Sequence, residues 1–464
     1  MVVNRDKAPS AQETFSQMAQ AAGLRGRVLL TIGMLILVRL GIFLPIPDID
    51  RGAFAQSVQN NPVVSFLDIF SGGGLSALGI FALGILPYIN ASIILQLLTT
   101  AVTPLENLQK NEGEAGRRKI SQITRYVALG WAIIQSIGLA WWVINSGAAR
   151  IGGDLILSQR TPTGFSFSTQ AGVPVSPMTL IPFIASTALA LTAGSMLVMW
   201  IGELITERGI GNGASLLIVI SIVSGLPRSL GQTLELAQTG DRGLVGGVIM
   251  LFIVFLVMIV GIVFVQEGTR RIPIISARRQ VGRKTYLERS SYLPLRLNSS
   301  GVMPIIFASA ILFLPSSLAE FTKNPLLGQV ANYLSPNGQA PWIYVIFYLL
   351  LIVFFSYFWT SLTINPVDLS QNLKKMGASI PGIRPGKSTS DYIERVLNRL
   401  TFLGAIFLGL IAIVPTAVES ATRVTTFQGF GATSLLIVVG VAIDTAKQIQ
   451  TYIISQRYEG MVNQ

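Results

Sequence analysis

The chain has 464 residues, 51% of them hydrophobic and only 12% charged, with a formal net charge of +12. That charged share is about half of what a soluble globular domain carries, so a wholly water-solvated fold is excluded and lipid must cover part of the surface. Cys and His are both absent, which excludes disulfides, thiolate or imidazole metal sites, and the usual general base.

Residues 1–23 are polar and mixed in charge. They lack the apolar stretch and small-residue cleavage site of a signal peptide, and they predict a cytoplasmic tail with a surface-lying amphipathic stretch over residues 15–24. A membrane-crossing helix needs about 20 mostly apolar residues. Ten segments qualify: residues 24–44, 78–98, 127–144, 180–201, 214–230, 244–265, 298–318, 342–362, 397–414 and 433–454. The second, fifth, seventh and tenth are weaker. They are interrupted by Gly84 and Pro87, by Ser221 and Ser224, by the run from Ser299 to Pro304, and by Asp444 with Lys447.

Two explanations of the weak spans stand side by side. They are interior helices shielded by neighbours, or they line an aqueous path, because polar or broken backbone at membrane depth is tolerated only where protein or water satisfies it. The weak spans fall second and fifth in each half of five, a recurrence that predicts an inverted repeat around a central pathway. The predicted fold class is all-α and integral to the membrane, with ten transmembrane helices in two pseudo-symmetric five-helix halves, residues 24–235 and 236–464.

Lys and Arg set the orientation. Arg25 and Arg27 belong to the tail, Arg117, Arg118 and Lys119 follow span two, Arg270 to Arg296 follow span six, and Lys374 to Arg399 follow span eight. The other face receives scattered single charges, so the positive-inside rule puts both termini in the cytoplasm. The connections 266–296 and 365–390 carry more charge than orientation requires. The first also holds Ile272, Pro273, Ile274 and Ile275 in a pattern like a short hairpin, which predicts a loop ordered enough to dock a partner. The alternative is a solvated loop near anionic lipid.

Energy-coupling chemistry is not visible. Gly209-Ile-Gly-Asn-Gly213 follows no strand and is expected to be a tight turn between spans four and five. Gly382-Ile-Arg-Pro-Gly-Lys-Ser388 has the wrong glycine spacing for a nucleotide loop. Ionisable residues near the spans are Arg39, Glu203 and Asp444, all towards span ends, whereas solute carriers place them near the midplane. A small-solute secondary transporter nevertheless shares the inverted hydropathy and remains the second reading. An intramembrane enzyme is a distant third and is not predicted, and no cofactor is expected.

Several motifs, taken together, resemble the SecY family, the pore subunits of protein-conducting channels. They include Phe70-Ser-Gly-Gly-Gly74, Gly84-Ile-Leu-Pro-Tyr-Ile89, Gly116-Arg-Arg-Lys-Ile-Ser121, Gly202-Glu-Leu-Ile-Thr-Glu-Arg-Gly-Ile-Gly-Asn-Gly213, Gly301-Val-Met-Pro-Ile-Ile-Phe307, Pro381-Gly-Ile-Arg-Pro-Gly386 and Gly431-Ala-Thr-Ser-Leu-Leu-Ile437. They follow the family's order along essentially the whole chain.

The resemblance implies a clamshell with an hourglass channel that passes unfolded secretory polypeptides and releases membrane segments sideways into lipid. It implies an apolar constriction ring of Ile85, Ile89, Ala214, Ile218, Ile306 and Ile437, which suits gating by dewetting. Ala214 departs from the bulky aliphatic residue usual there. The implied plug spans residues 62–76, with Phe66, Leu67, Ile69 and Phe70 as its apolar face and Gly72, Gly73 and Gly74 as a flexible tether. The implied lateral gate lies between spans two and seven, where an amide pair of Gln96 and Asn298 would contribute about 0.5–1.5 kcal/mol. Arg271, Arg278, Arg279, Arg283, Lys284 and Arg384 match the docking surface for the ribosome and the SecA motor ATPase; on ribosomal RNA such contacts are salt-dependent. SecE and SecG, signal peptides, nascent chains and membrane lipid complete the implied partners. The implied location is the inner or plasma membrane, with the thylakoid membrane as a second host.

Overall fold

A computed structural model describes residues 22–52, 54–55, 68, 71–110, 113–145, 149–151, 154–161, 164–169, 174–175, 177–238, 242–276, 279–281, 284–286, 290–308, 311–312, 315, 325–334, 340–422 and 432–462. The first helices are α1 (Ala22–Ile42), α2 (Leu86–Ala101), α3 (Thr103–Lys110) and α4 (Gly113–Asn145). An antiparallel sheet of β1 (Arg150–Ile151), β2 (Asp154–Thr161), β3 (Gly164–Thr169) and β4 (Pro174–Val175) leads to α5 (Pro177–Arg208), α6 (Gly213–Gln238) and α7 (Arg242–Glu267). Strands β5 (Thr269–Ser276), β6 (Arg279–Val281), β7 (Lys284–Tyr286) and β8 (Ser290–Arg296) follow. The chain ends with α8 (Pro325–Tyr333), α9 (Pro341–Thr363), α10 (Pro366–Lys375), β9 (Ala378–Ser379), α11 (Lys387–Thr422) and α12 (Ala432–Val462).

Apolar runs become helices because a helix satisfies its own backbone where no water is available. Among the described residues, α4, α5, α7, α9 and α11 supply the five helices long and apolar enough to cross a membrane. All five fall on predicted strong spans. The sixth strong span forms α1, which carries Arg25, Arg27 and Arg39. Two of the weak spans form shorter apolar helices, over Leu86–Thr99 and Gly213–Pro227. The chain is thus a multi-spanning, predominantly helical membrane protein.

Two expectations need correction. Residues 78–85 were expected to open the second span, but they form turns, and α2 starts only at Leu86. The cause is a close backbone approach and a turn: Gly79 lies directly against the Ile42 backbone, and Gly84 takes a left-handed φ of 53°. The seventh span was expected from residue 298, yet Asn298–Gly301 is irregular and helix begins at residue 303, after Gly301 at φ 64°. The all-α expectation holds for the spans, and strands β1–β4 and β5–β9 belong to the connections. These segments lie outside the long apolar runs, where a sheet or water can satisfy the backbone.

The described residues form two compact units, one reaching to Arg228 and including Val441 onward, the other Ser229–Gly440. In the first unit, Leu78, Ile144, Leu180 and Leu191 form a dry core with Phe54, whose ring meets Trp142 edge-on at 4.9 Å. In the second, Ile262, Ile305, Ile352, Leu408 and Leu436 pack together, and Phe307 stacks on Phe355 at 5.3 Å. The second unit also holds a separate module, in which β5 pairs with β8 from Thr269↔Arg296 to Ile275↔Ser290. Its core contains Ile272, Ile274, Leu295, Leu373, Ile393 and Leu397. Along β5 the period of two is plain: Ile272 and Ile274 are buried while Arg271 and Pro273 face out.

Candidate functional site

The sequence singles out residues on α2 and α6, and the first unit brings four of them together. Ile85 is buried, and Ile89, Ala214 and Ile218 pack partly buried around the same cluster, with Ile201, Ile205 and Leu217 behind them. Ile85 precedes the first turn of α2, where Pro87 suits a position whose N–H needs no helical partner. Ala214 and Ile218 stand four apart on α6 and share a face. Gly202 of α5 makes room, since a β-carbon there would lie 3.2 Å from Ile85 Cδ1 and 3.3 Å from Leu217 Cδ1.

The glycine-rich segment between α5 and α6 is the tight turn expected from its sequence. Gly213 lies directly against the Gly202 carbonyl, leaving no space for a side chain. Thr206 staples the turn: its hydroxyl donates to Gly202 O at 2.9 Å and accepts from Gly213 N–H at 2.9 Å. Asn212 Oδ1 accepts from Ser215 N–H at 3.2 Å and caps α6. Thr31 of α1 accepts from Ile210 N–H at 3.1 Å and donates to Arg27 O at 2.8 Å. Sequence reading did not single out Thr31 or Thr206; the density of glycines between residues 202 and 213 was the available signal that backbones meet here.

On the predicted plug, Phe66, Leu67, Ile69 and Phe70 lie outside the described residues. Gly72 and Gly73 take left-handed φ values of 67° and 80°, and Gly74 starts a single helical turn, Gly74–Ala77. The triplet sits in a defined turn. Asp68 organises it. Its carbonyl accepts from Gly73 N–H at 3.0 Å, and its carboxylate accepts from Ser76 N–H at 2.9 Å and the Ser71 hydroxyl at 3.0 Å. Arg39 Nη1 donates to Gly72 O at 3.0 Å. Of the other ionisable residues near the spans, Glu203 pairs with Arg125 at 2.9 Å and Asp444 is exposed.

In the second unit, Ile437 is buried and Ile306 half-buried. Asn298 is buried, and its amide has local partners: Nδ2 donates to Gly301 O at 3.0 Å and Oδ1 accepts from the Ser300 hydroxyl at 3.1 Å. Gln96, on α2 of the first unit, is exposed.

The two basic connections meet, a feature not read from sequence. Strand β9, from the second connection, pairs with β5 of the first through Ile275↔Ser379 and Ser276↔Ala378. Asn365 Oδ1 caps α10 by accepting from Val367 N–H at 3.0 Å, with Pro366 at the first position and Lys374 and Lys375 at the negative end of the helix dipole. Arg384 is exposed on a turn held by Thr389 Oγ1 donating to Arg384 O at 2.9 Å and Ser370 Oγ donating to Gly386 O at 2.8 Å. Arg271 is exposed and lies over the Tyr292 ring at 4.9 Å. Arg279 and Lys284 sit on paired β6 and β7, and Arg278 and Arg283 fall outside the described residues.

Among the described residues no group of carboxylates could hold a metal ion. The geometry offers an apolar cluster and close-packed glycine turns in the first unit and a basic module in the second.

Comparison with known proteins gives the family and the fold. The SecY family model matches residues 79–446. The chain is 69% identical over 466 residues to protein translocase subunit SecY of Synechococcus elongatus, covering all of both chains. It is 65% identical over 472 residues to that subunit of Synechocystis, again covering both chains fully. A solved structure in which the plug domain of the SecY protein stabilises the closed state of the translocation channel and maintains a membrane seal matches with a TM-score of 0.56 at 16% identity, over 92% of each chain. That last likeness is one of fold.

Proposed function

The chain belongs to the SecY family, and on that premise we propose that it is the pore subunit of a protein translocase, a passive channel for unfolded secretory polypeptides and not an enzyme. The observation that carries the reading is the apolar cluster of Ile85, Ile89, Ala214 and Ile218 at the starts of α2 and α6, both entered through glycine turns. Apolar side chains exclude water and ions at rest yet bind no passing residue strongly, as a conduit for every side-chain type requires. Family membership also sets aside the small-solute transporter.

In the complete reading, ten helices form two five-helix halves, residues 24–235 and 236–464. Ile306 and Ile437 complete the ring from the second half, and residues 62–76 plug it. A signal peptide intercalates at a gate between Gln96 and Asn298, and apolar segments leave sideways into lipid. The module bearing Arg271, Arg279, Lys284 and Arg384 docks SecA or the ribosome, which supply the motive force, and SecE and SecG assemble with the chain. Both termini face the cytoplasm of a plasma or thylakoid membrane.

Photocrosslinking tests this. Probes at Ile89 and Ile306, in reconstituted membranes with a stalled precursor, SecA and ATP, should both label the precursor, and labelling should vanish without a signal sequence. Failure of an intact, oriented channel to label would remove the conduit. For docking, Arg384→Glu should weaken SecA binding by about tenfold, in line with a charge-pair loss on one side of an interface. Unchanged binding would move docking elsewhere.

A further inference from the structure

The side chain that holds the plug turn against the ring helix comes from α1. Ser221 lies on α6 at i+7 from Ala214 and i+3 from Ile218, on the same face, one turn past the apolar cluster. Gly72 sits against it. A β-carbon on Gly72 would come within 2.7 Å of Ser221 Cα and 2.7 Å of Arg39 Nη1. The turn thus fits between α6 and a guanidinium, with no space to spare.

The hydrogen bonds divide into two sets. Those of Asp68, Ser71, Gly73 and Ser76 stay within the turn and would travel with it. Among the described residues from 68 to 78, the bond from Arg39 to Gly72 O, at 3.0 Å, is the one that reaches another helix. The far end of the segment is fastened differently, by main chain: Ile80 N–H donates to Leu44 O at 3.0 Å, and Gly79 packs on the Ile42 backbone. One end is therefore built into the scaffold by main chain, and among the described residues the hydrogen bond from the other end to a neighbouring helix is that of Arg39. A guanidinium within an apolar helix needs a polar partner or water; here a main-chain carbonyl of the turn provides it.

We infer that Arg39 is a positioning residue for the channel, a latch whose guanidinium holds the Gly72 turn on Ser221 and so keeps the resting pore sealed. The inference rests on the channel reading and adds to it a named side chain outside the ring, plug and gate. A polypeptide that wedges against Ile218 pushes the same face of α6 and displaces Gly72, breaking a bond whose partners water can then solvate. Opening and unlatching become one event.

The test uses the full chain with its small membrane subunits in proteoliposomes, without SecA, and reads halide leak from the resting channel. Four variants are compared with the unaltered chain: Arg39→Leu, Arg39→Lys, Ser221→Leu, and a deletion of residues 62–76. Loss of a charged hydrogen bond should raise the leak of Arg39→Leu by about tenfold or more, towards that of the deletion. Arg39→Lys, which keeps a charged donor, should leak less than Arg39→Leu. Ser221→Leu should leak like Arg39→Leu, because it displaces Gly72 while leaving Arg39 intact. If Arg39→Leu yields no monodisperse protein, Ser221→Leu decides. A leaking deletion beside tight Arg39→Leu and Ser221→Leu channels would overturn the latch and leave the plug standing. A tight deletion would overturn the plug reading and the latch with it.

Discussion

The module of β5, β8, β9, α10 and the start of α11 and the glycine turns at Gly72–Gly73 and Gly209–Gly213 are held by different means. The module has a dry aliphatic core in which Ile272 and Ile393 are 2% and 0% exposed, and a ladder of main-chain bonds. The second region relies on close backbone approach at Gly72, Gly202 and Gly213, and on single bonds from Thr31, Arg39, Asp68 and Thr206. Burial of large side chains spreads stability over many atoms and makes a rigid platform. Glycine contacts bury little apolar area, and single polar bonds contribute only about 0.5–1.5 kcal/mol each. On the proposed reading, a partner would grip the first without deforming it and a passing chain would move the second.

The largest expected effect is in the module. Ile393→Ala should cost about 2–5 kcal/mol. Hydrogen exchange of the β5 and β8 amides should accelerate while the amides of Gly209 and Gly213 keep their protection; acceleration in both places would break the comparison. The converse change is Gly213→Ala, whose methyl would meet the Gly202 carbonyl. Overpacking of this kind costs about 1–3 kcal/mol. Thermal unfolding in detergent should begin earlier with module exchange unaltered, and an unchanged midpoint would mean that the two glycines do not need their contact.

Smaller changes sharpen the contrast. Thr31→Val keeps the shape but leaves Ile210 N–H without its acceptor, an expected loss of about 1 kcal/mol. It should raise exchange at Ile210 alone, and a wider response would show that the turn acts as one unit with α1. Tyr292→Ala removes the ring beneath exposed Arg271 and should cost about 0.5–1 kcal/mol, the range of an exposed cation–π contact. A double-mutant cycle with Arg271→Ala measures it, and additivity would show the stack to be idle.

Much of this was legible in the chain before folding. The strong spans became α1, α4, α5, α7, α9 and α11 because each run is apolar enough to require a self-satisfying backbone. The hairpin over residues 269–296 was visible in the Ile272–Ile275 pattern, and the turn at Gly209–Gly213 in its glycines. The starts of the second and seventh spans were not legible. Composition scores Leu78 to Leu83 as apolar, yet the conformation there is set by Gly79 meeting Ile42, which is distant in sequence. Asn298 was placed at the start of the seventh span; its amide instead builds a loop with Ser300 and Gly301.

The sequence by itself determined membrane residence, the positions of the strong spans and, through its ordered motifs, membership of the SecY family. These follow from local composition, since lipid penalises an unpaired backbone wherever it occurs along the chain. Only the tertiary structure decided that the two basic connections share one sheet, that Thr31 closes the α6 turn, and that Arg39 reaches Gly72 across 33 residues of sequence. Such pairings depend on which backbones approach closely enough to exclude a side chain, and that is a property of packed helices rather than of any single segment.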